Sequence, residues 1–208
     1  MRIHILFLFL FSSFLGASQN EWIPFDSPEG NFSLLVPDTM VHTTKELELA
    51  IGTLQYQIFH YQGLDTSENW LYQLSYVDYP EGSVHSDSTE FLEILFDENV
   101  KSSAKSVFGK IAYQQPDKYG KYPGHIFKVH FAEDKVAIKT RLYMVENRYY
   151  AISVTGPRGY SLNPKVEEFL NSFRLLELPV ENTSKKGKKS GWCCHFYEMY
   201  VLIFSKIM

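Results

Sequence analysis

YPGHIFKVHF, at residues 122–131, places Phe127, Val129 and Phe131 on alternate positions, which is the period of a β-strand. It is followed by TRLYMVENRYYAISVTGP at 140–157, where the central Glu-Asn pair can form a two-residue hairpin turn. FLNSFRLL, at 169–176, then has apolar residues at helical spacing. These stretches predict hairpin-connected strands and a short closing helix. None of them contains an arrangement of nucleophile, base or metal ligands, so they indicate a fold rather than a reaction.

Period-two patterns and turn residues predict further strands outside these stretches. The predicted ranges are a hairpin at 22–36 and strands at 44–50, 53–62, 70–79 and 108–114. Residues 115–121 are expected to form a loop. Hairpin-connected strands with only two helices favour an α+β domain, with a mainly antiparallel sheet flanked by helices.

Two helices are predicted from capping residues and apolar spacing. Asp87 stands three residues before Glu90, which is the spacing of a capping box, and a helical apolar pattern continues to about residue 106. Asn163 followed by proline predicts the start of the closing helix, whose buried face would carry Phe169 and Phe173.

The chain divides by composition into three parts. Residues 1–18 have a basic start, a short apolar run and small residues, which predicts a secretory signal peptide and hence a secreted or periplasmic protein. Residues 19–180 are expected to form one domain. Residues 181–208 change abruptly to a basic cluster and an aromatic, apolar segment, which could contact a membrane surface or be an extension outside the fold.

The predicted domain at 19–180 is acidic and contains no cysteine. It has 14 Lys and Arg against 22 Asp and Glu, a net charge of −8 with histidine neutral. Nucleic-acid affinity depends on clustered basic residues that neutralise phosphates, so nucleic acid is disfavoured as a partner. Without disulfides the core must be held by burial, which about 160 residues rich in Phe and Tyr can provide.

Several short segments together resemble secreted bacterial domains of the PsbP and Mog1-like type, over about residues 22–176. They are Trp22, SPEGNFS at 27–33 with Pro37, YPG at 122–124, RLY at 141–143, NRYY at 147–150, Gly156-Pro157 and FLNSFR at 169–174. The resemblance implies an α/β/α sandwich around a mainly antiparallel sheet, used for binding or assembly rather than catalysis. The resemblance carries over no catalytic residue.

The candidate binding residues lie on two neighbouring predicted strands. Lys128 and His130 share one face of the first strand, and Lys139, Arg141 and Tyr143 share one face of the next. If these faces coincide, they form a basic and aromatic strip suited to a carboxylate, a phosphate or an acidic partner. Alternatively, the strip is a solvated sheet face paired with the acidic residues at 133, 134 or 146.

Metal and catalytic sites are not predicted. His125 and His130 are five residues apart on a strand and should point to opposite faces, so they are poor joint metal ligands. The domain lacks a thiol and a G-x-S-x-G motif, so no hydrolase site is recognised and no cofactor is expected. We therefore expect a non-catalytic binding or assembly module with a protein partner in the envelope. A carrier of a small apolar or aromatic ligand and a hydrolase with an unrecognised site remain alternatives.

Overall fold

The computed structural model describes residues 22–49 and 52–176, which form ten strands, two α-helices and one 3-10 turn. The strands are β1 (Ile23–Ser27), β2 (Phe32–Val36), β3 (Val41–Leu49), β4 (Gly52–Gln62), β5 (Leu71–Asp78), β6 (Lys110–Tyr119), β7 (Tyr122–Phe131), β8 (Val136–Val145), β9 (Arg148–Pro157) and β10 (Arg174–Leu175). The helices are α1 (Thr89–Ser106) and α2 (Pro164–Ser172), and the 3-10 turn is Arg158–Tyr160. The proposed signal peptide at 1–18 and the tail at 181–208 lie outside the described residues.

The strands form two antiparallel sheets. The large sheet has the order β3-β4-β5-β9-β8-β7-β6, and the small sheet has the order β1-β2-β10. α1 packs on one face of the large sheet, whereas α2 and the small sheet pack on the other face. The predicted α+β class and antiparallel sheet are confirmed. The second covering layer is not purely helical, because the opening hairpin and β10 share it with α2.

Aromatic side chains fill the layer between the two sheets. Phe32 of β2 is fully buried, and its ring lies 5.5 Å from that of Phe59 and 6.4 Å from that of Tyr150, measured between centroids. Phe173, which directly follows α2, lies 5.2 Å from Tyr150. Such aromatic contacts add to the free energy of simple area burial. This layer therefore holds the small sheet and α2 against the large sheet.

The β8–β9 hairpin and the start of α2 form as predicted. Residues 146 and 147 connect the two strands, and Glu146 adopts a positive φ of 53°. The side chain of Asn163 accepts a hydrogen bond from the backbone N–H of Val166, with Pro164 in the first turn. Local sequence determines both features, because each depends on residues within four positions of one another.

Two predicted elements are wrong. Residues 115–119 belong to β6 rather than to a loop, while Phe108 lies outside the strand and is 97% exposed. β6 is the edge strand of the large sheet, where a proline such as Pro116 is tolerated and a regular apolar pattern is not required. The N-cap of α1 is Ser88 rather than Asp87, and it forms no side-chain capping bond.

Replacing Phe169 with alanine is expected to lower the free energy of unfolding by about 3 to 5 kcal/mol, because its fully buried ring packs on Tyr72 at 5.2 Å. Urea unfolding monitored by circular dichroism measures the change. Phe108→Ala is the matched control, with an expected change within about 0.5 kcal/mol. Equal losses in the two variants would show that α2 is not anchored through Phe169.

Candidate functional site

The five predicted site residues lie on one face of the large sheet. Lys128 of β7 stands directly opposite Lys139 of β8, and residues opposite one another in an antiparallel pair share a face. Arg141 and Tyr143 follow on the same face of β8, and His130 follows on the same face of β7. The two polar faces therefore coincide.

The strip is nevertheless not an open, solvated surface. Relative exposures are 6% for Lys128, 8% for Lys139 and 3% for Tyr143. The face that carries them also packs against the small sheet and α2, and the segment between β9 and α2 reaches Lys128. Ion pairs in this setting are screened less by water than those on a free sheet surface.

Tyr143 is part of the aromatic core. Its ring lies 5.8 Å from that of Phe173 in a stacked arrangement, opposite Gly124 on β7. A Cβ at Gly124 would lie 2.5 Å from the Tyr143 ring, so the glycine makes room for this packing. Burial raises the pKa of Tyr143 to about 12, and its hydroxyl donates to Asp117 at 3.1 Å. Its ring supports the fold rather than presenting a free aromatic contact.

Arg141 and Lys139 have acidic partners that differ from those considered in the sequence. Arg141 Nε lies 3.6 Å from Asp117 of β6, and this buried nitrogen has no hydrogen bond. Lys139 Nζ donates to Glu167 of α2. Residues 117 and 167 are distant in sequence from both cations, so only the folded chain identifies these pairs.

Lys128 is the cation of this strip with no carboxylate within 4 Å among the described residues. Its Nζ is 3.5 Å from the hydroxyl of Ser161 and 5.6 Å from the centre of the Tyr113 ring. Burial lowers the pKa of Lys128, the positive charges of Lys139 and Arg158 lower it further, and Glu167 opposes them. An approaching anion would stabilise the charged form of an ammonium group in this environment.

His130 adjoins the same positive region. Its Nδ1 lies 3.1 Å from Asp134, but the carboxylate of Asp134 is also engaged by Arg158. Burial lowers the pKa of His130, and Arg158 and Lys128 lower it further. The imidazole therefore holds its proton less readily than a free histidine.

We refer to Lys128, His130, Lys139 and Arg158 as the cationic recess. Sequence patterns missed the contributions of Ser161 and Glu167, as well as Lys110, which stands opposite His130 on β6. The position of Arg158 in the loop between β9 and α2 was the only sequence feature that could have suggested its role. Ser161, Glu167 and Lys110 could be assigned to this region only from the strand register and the position of α2.

The remaining histidines do not join this site. His125 projects from the opposite face of the sheet, where its ring stacks on Phe96 of α1 at 5.6 Å. This confirms the expected separation of His125 from His130. Within residues 22–49 and 52–176 there is no group of three or more His, Cys, Asp or Glu side chains placed to hold a metal ion. No helix in those ranges is long and apolar enough to cross a membrane.

A separate cavity lies between α1 and the sheet. It has a volume of about 60 Å³, and its lining includes Tyr56, Phe127 and Tyr149 together with small hydroxyl side chains such as Ser103 and Thr140. A ligand pocket for a drug-sized molecule usually measures about 300 to 1,000 Å³. The cavity as it stands therefore suits a molecule of only a few heavy atoms.

We expect Arg158→Gln to raise the pKa of His130, because the substitution removes a nearby cation and leaves Asp134 freer to stabilise the imidazolium. Titration followed by NMR measures this pKa, which should lie below 6.5 in the unmodified protein. Since the pKa is lower in the folded state, His130 costs no stability well above pH 6.5 and increasingly destabilises the fold as pH falls below that value. Arg158→Gln should reduce this loss.

His125 is the internal control for that titration. Burial also lowers its pKa, but it lies on the opposite face, away from Arg158. Its pKa should not change in Arg158→Gln. An unchanged His130 pKa in the variant would contradict the arrangement of the recess described above.

Comparison with known proteins identifies the fold. No protein-family model matches the chain, and no curated protein matches it. The structure is similar to the solution structure of cyanobacterial PsbP (CyanoP) from Synechocystis sp. PCC 6803, with a TM-score of 0.52 and 7% sequence identity. The match covers 77% of this chain and 95% of that chain. The chain thus has a PsbP-like fold, as the sequence resemblance implied.

Proposed function

We propose that this protein is a non-catalytic binding module whose cationic recess receives one carboxylate or phosphate group of a protein partner. The observation that carries the proposal is Lys128, a residue only 6% exposed whose ammonium group has no carboxylate within 4 Å among the described residues. Lys139 and Arg158 stand beside it, and the hydroxyl of Ser161 offers a further hydrogen bond. An incoming anion would complete the pairing of Lys128.

The distribution of charge favours a single anionic group over a polyanion. The span 19–180 has a net charge of −8. Within it, the basic side chains of the recess lie near one another. A nucleic acid would meet repulsion from most of the remaining surface. One acidic side chain or one phosphate would meet less of that repulsion when it contacts the recess.

The partner and the cellular location belong to the same proposal. The basic, apolar and small-residue pattern at 1–18 supports secretion, so the partner would be an envelope protein. The basic and aromatic segment at 181–208 would bring the module close to a membrane surface.

The cavity between α1 and the sheet supports a second candidate function, the carriage of a small apolar ligand. Its lining includes apolar side chains such as Val129 and Ile138. At about 60 Å³ it is smaller than the engineered cavity of about 150 Å³ that holds benzene. The size therefore ranks this candidate below the binding module, and a two- or three-carbon alcohol is the appropriate probe.

Lys128→Met is expected to weaken anion binding by about tenfold or more while leaving the fold intact. Methionine keeps most of the apolar stem, and removal of a cation whose pKa is lowered by burial should maintain or raise the free energy of unfolding at neutral pH. Calorimetric titration with inorganic phosphate and with acetate at low salt should show a loss of about tenfold or more in affinity, equivalent to about 1.5 kcal/mol for a charge-assisted hydrogen bond.

Lys118→Met serves as the control, because Lys118 is exposed on edge strand β6 and its removal changes the net charge equally. Affinity purification with the unmodified protein and both variants as baits then tests the partner. A partner retained by Lys118→Met and lost by Lys128→Met is the expected result. Equal anion binding by all three proteins, or none by the unmodified protein, would refute the role of the recess.

Charge reversal at Lys139 and Arg141 is a poorer test than Lys128→Met. Lys139 is buried and pairs with Glu167, while Arg141 lies beside Asp117. Placing glutamates there would oppose like charges in a poorly hydrated region and destabilise the domain. Loss of partner capture could then result from unfolding alone.

A further inference from the structure

We propose that a polar cleft at the β3–β4 end of the large sheet binds an uncharged polyhydroxylated ligand, such as one sugar ring. The cleft has a volume of about 310 Å³. Its polar lining comprises Glu29, Thr53, Gln55, Gln57, Asp78 and Arg148. It is built from different residues than the cationic recess, so the two proposals stand or fall separately.

The sheet register and the opening hairpin create the cleft. Gln57 of β4 stands opposite Tyr76 of β5, and Asp78 stands opposite Arg148 of β9, so these side chains form a continuous floor. The hairpin of β1 and β2 covers the next part of the same face, where Phe32 packs on Phe59. The turn of this hairpin, at residues 28–31, borders the cleft through Glu29. The hairpin does not extend over the part of the sheet face that carries Thr53, Gln55 and Gln57.

Two glutamine amides present complementary groups to the cleft. Gln57 Oε1 lies 2.8 Å from His42 Nε2 and accepts a hydrogen bond from Thr44 at 2.9 Å, so its amide N–H groups remain available to a ligand. Gln55 Nε2 donates to Glu46 at 3.3 Å, so its carbonyl oxygen remains available as an acceptor. One amide therefore offers donors and the other offers an acceptor.

The charged members of the lining largely neutralise each other. Arg148 donates from Nε and Nη2 to the two oxygens of Asp78, at 2.5 and 2.7 Å, and from Nη1 to the carbonyl of Glu29 at 2.9 Å. The guanidinium also lies 4.6 Å from the centre of the Tyr76 ring. A free anion would therefore find no unpaired cation here.

The hydroxyl of Tyr76 adds a further polar group. Tyr76 of β5 lines the cleft together with the two glutamines. A phenol can donate and accept, as can each hydroxyl of a sugar. The amides, the phenol and the Asp78 carboxylate together match a ligand with several adjacent hydroxyl groups.

The same groups disfavour other ligand classes. An apolar molecule would remove water from the amides without replacing their hydrogen bonds. An anion would be repelled by the carboxylates of Glu29 and Asp78. The volume lies at the small end of the usual range of about 300 to 1,000 Å³, which suits one sugar ring rather than a larger molecule.

The test is titration of the full-length protein with the methyl glycosides of glucose, galactose and mannose, followed by the NMR signals of the glutamine side-chain amides. At least one glycoside should shift the Gln55 and Gln57 amide signals in a saturable manner. Tyr76→Phe keeps the ring and its contacts, and should weaken binding about threefold to tenfold by removing one hydrogen bond. Gln57→Ala should weaken it at least as much.

Gln115→Ala is the matched control, since Gln115 is an exposed glutamine on the opposite edge strand, β6. Its affinity should equal that of the unmodified protein. The proposal is overturned if none of the three glycosides gives a saturable shift, or if Tyr76→Phe and Gln57→Ala bind as well as Gln115→Ala. Saturable shifts of the same amides with putrescine but not with glycosides would instead indicate a cation site and also overturn it.

Discussion

Phe32 connects the two sheets, because its ring contacts aromatic side chains of the large sheet and the phenylalanine that follows α2. Its neighbours include Phe59 of β4, Tyr150 of β9 and Phe173 after α2, with ring centroids 5.5 to 6.4 Å away. The residues 22–176 contain no cysteine, so burial of these rings must hold the small sheet and α2 in place. Where the covering layer docks then determines which parts of the sheet face remain accessible.

Both proposed sites lie where this aromatic layer ends. The cationic recess lies next to α2, whose position depends on Phe169 and Phe173. The polar cleft lies beyond the β1–β2 turn, which is tied to the sheet by Arg148 and by the hydroxyl of Tyr150 donating to the carbonyl of Gly30 at 2.7 Å. A shift of the covering layer would therefore alter both sites.

The binding role proposed for the cationic recess implies a conflict between stability and binding. Arg141 and Lys139 have acidic partners from other elements, whereas Lys128 lacks a carboxylate partner and its pKa is lowered by burial. A buried charge without such a partner destabilises a fold, so a packed apolar residue would serve the domain better if stability were the only demand. A bound anion would offset the destabilisation caused by the buried charge. This is the physical reason for linking Lys128 to binding.

Local sequence patterns were enough to predict the class of the fold and most of its elements. Alternation, the turn at residues 146–147 and the cap at Asn163 depend on neighbouring residues, and these short-range preferences survive in the folded chain. The shared face of Lys128 and Lys139 followed from strand alternation once the register was known. Only the first half of edge strand β6 was predicted as a strand, and residues 115–119 were missed because an exposed strand needs no apolar period.

The partners and the exposure of those side chains depend on long-range packing, which local sequence patterns do not reveal. Asp117 and Glu167 reach Arg141 and Lys139 through strand register and helix docking, which bring together residues more than twenty positions apart. The burial of Lys128 and the polar cleft likewise depend on where the covering layer stops. Sequence periodicity reports which face a side chain occupies, but whether that face meets water or protein is determined by long-range packing.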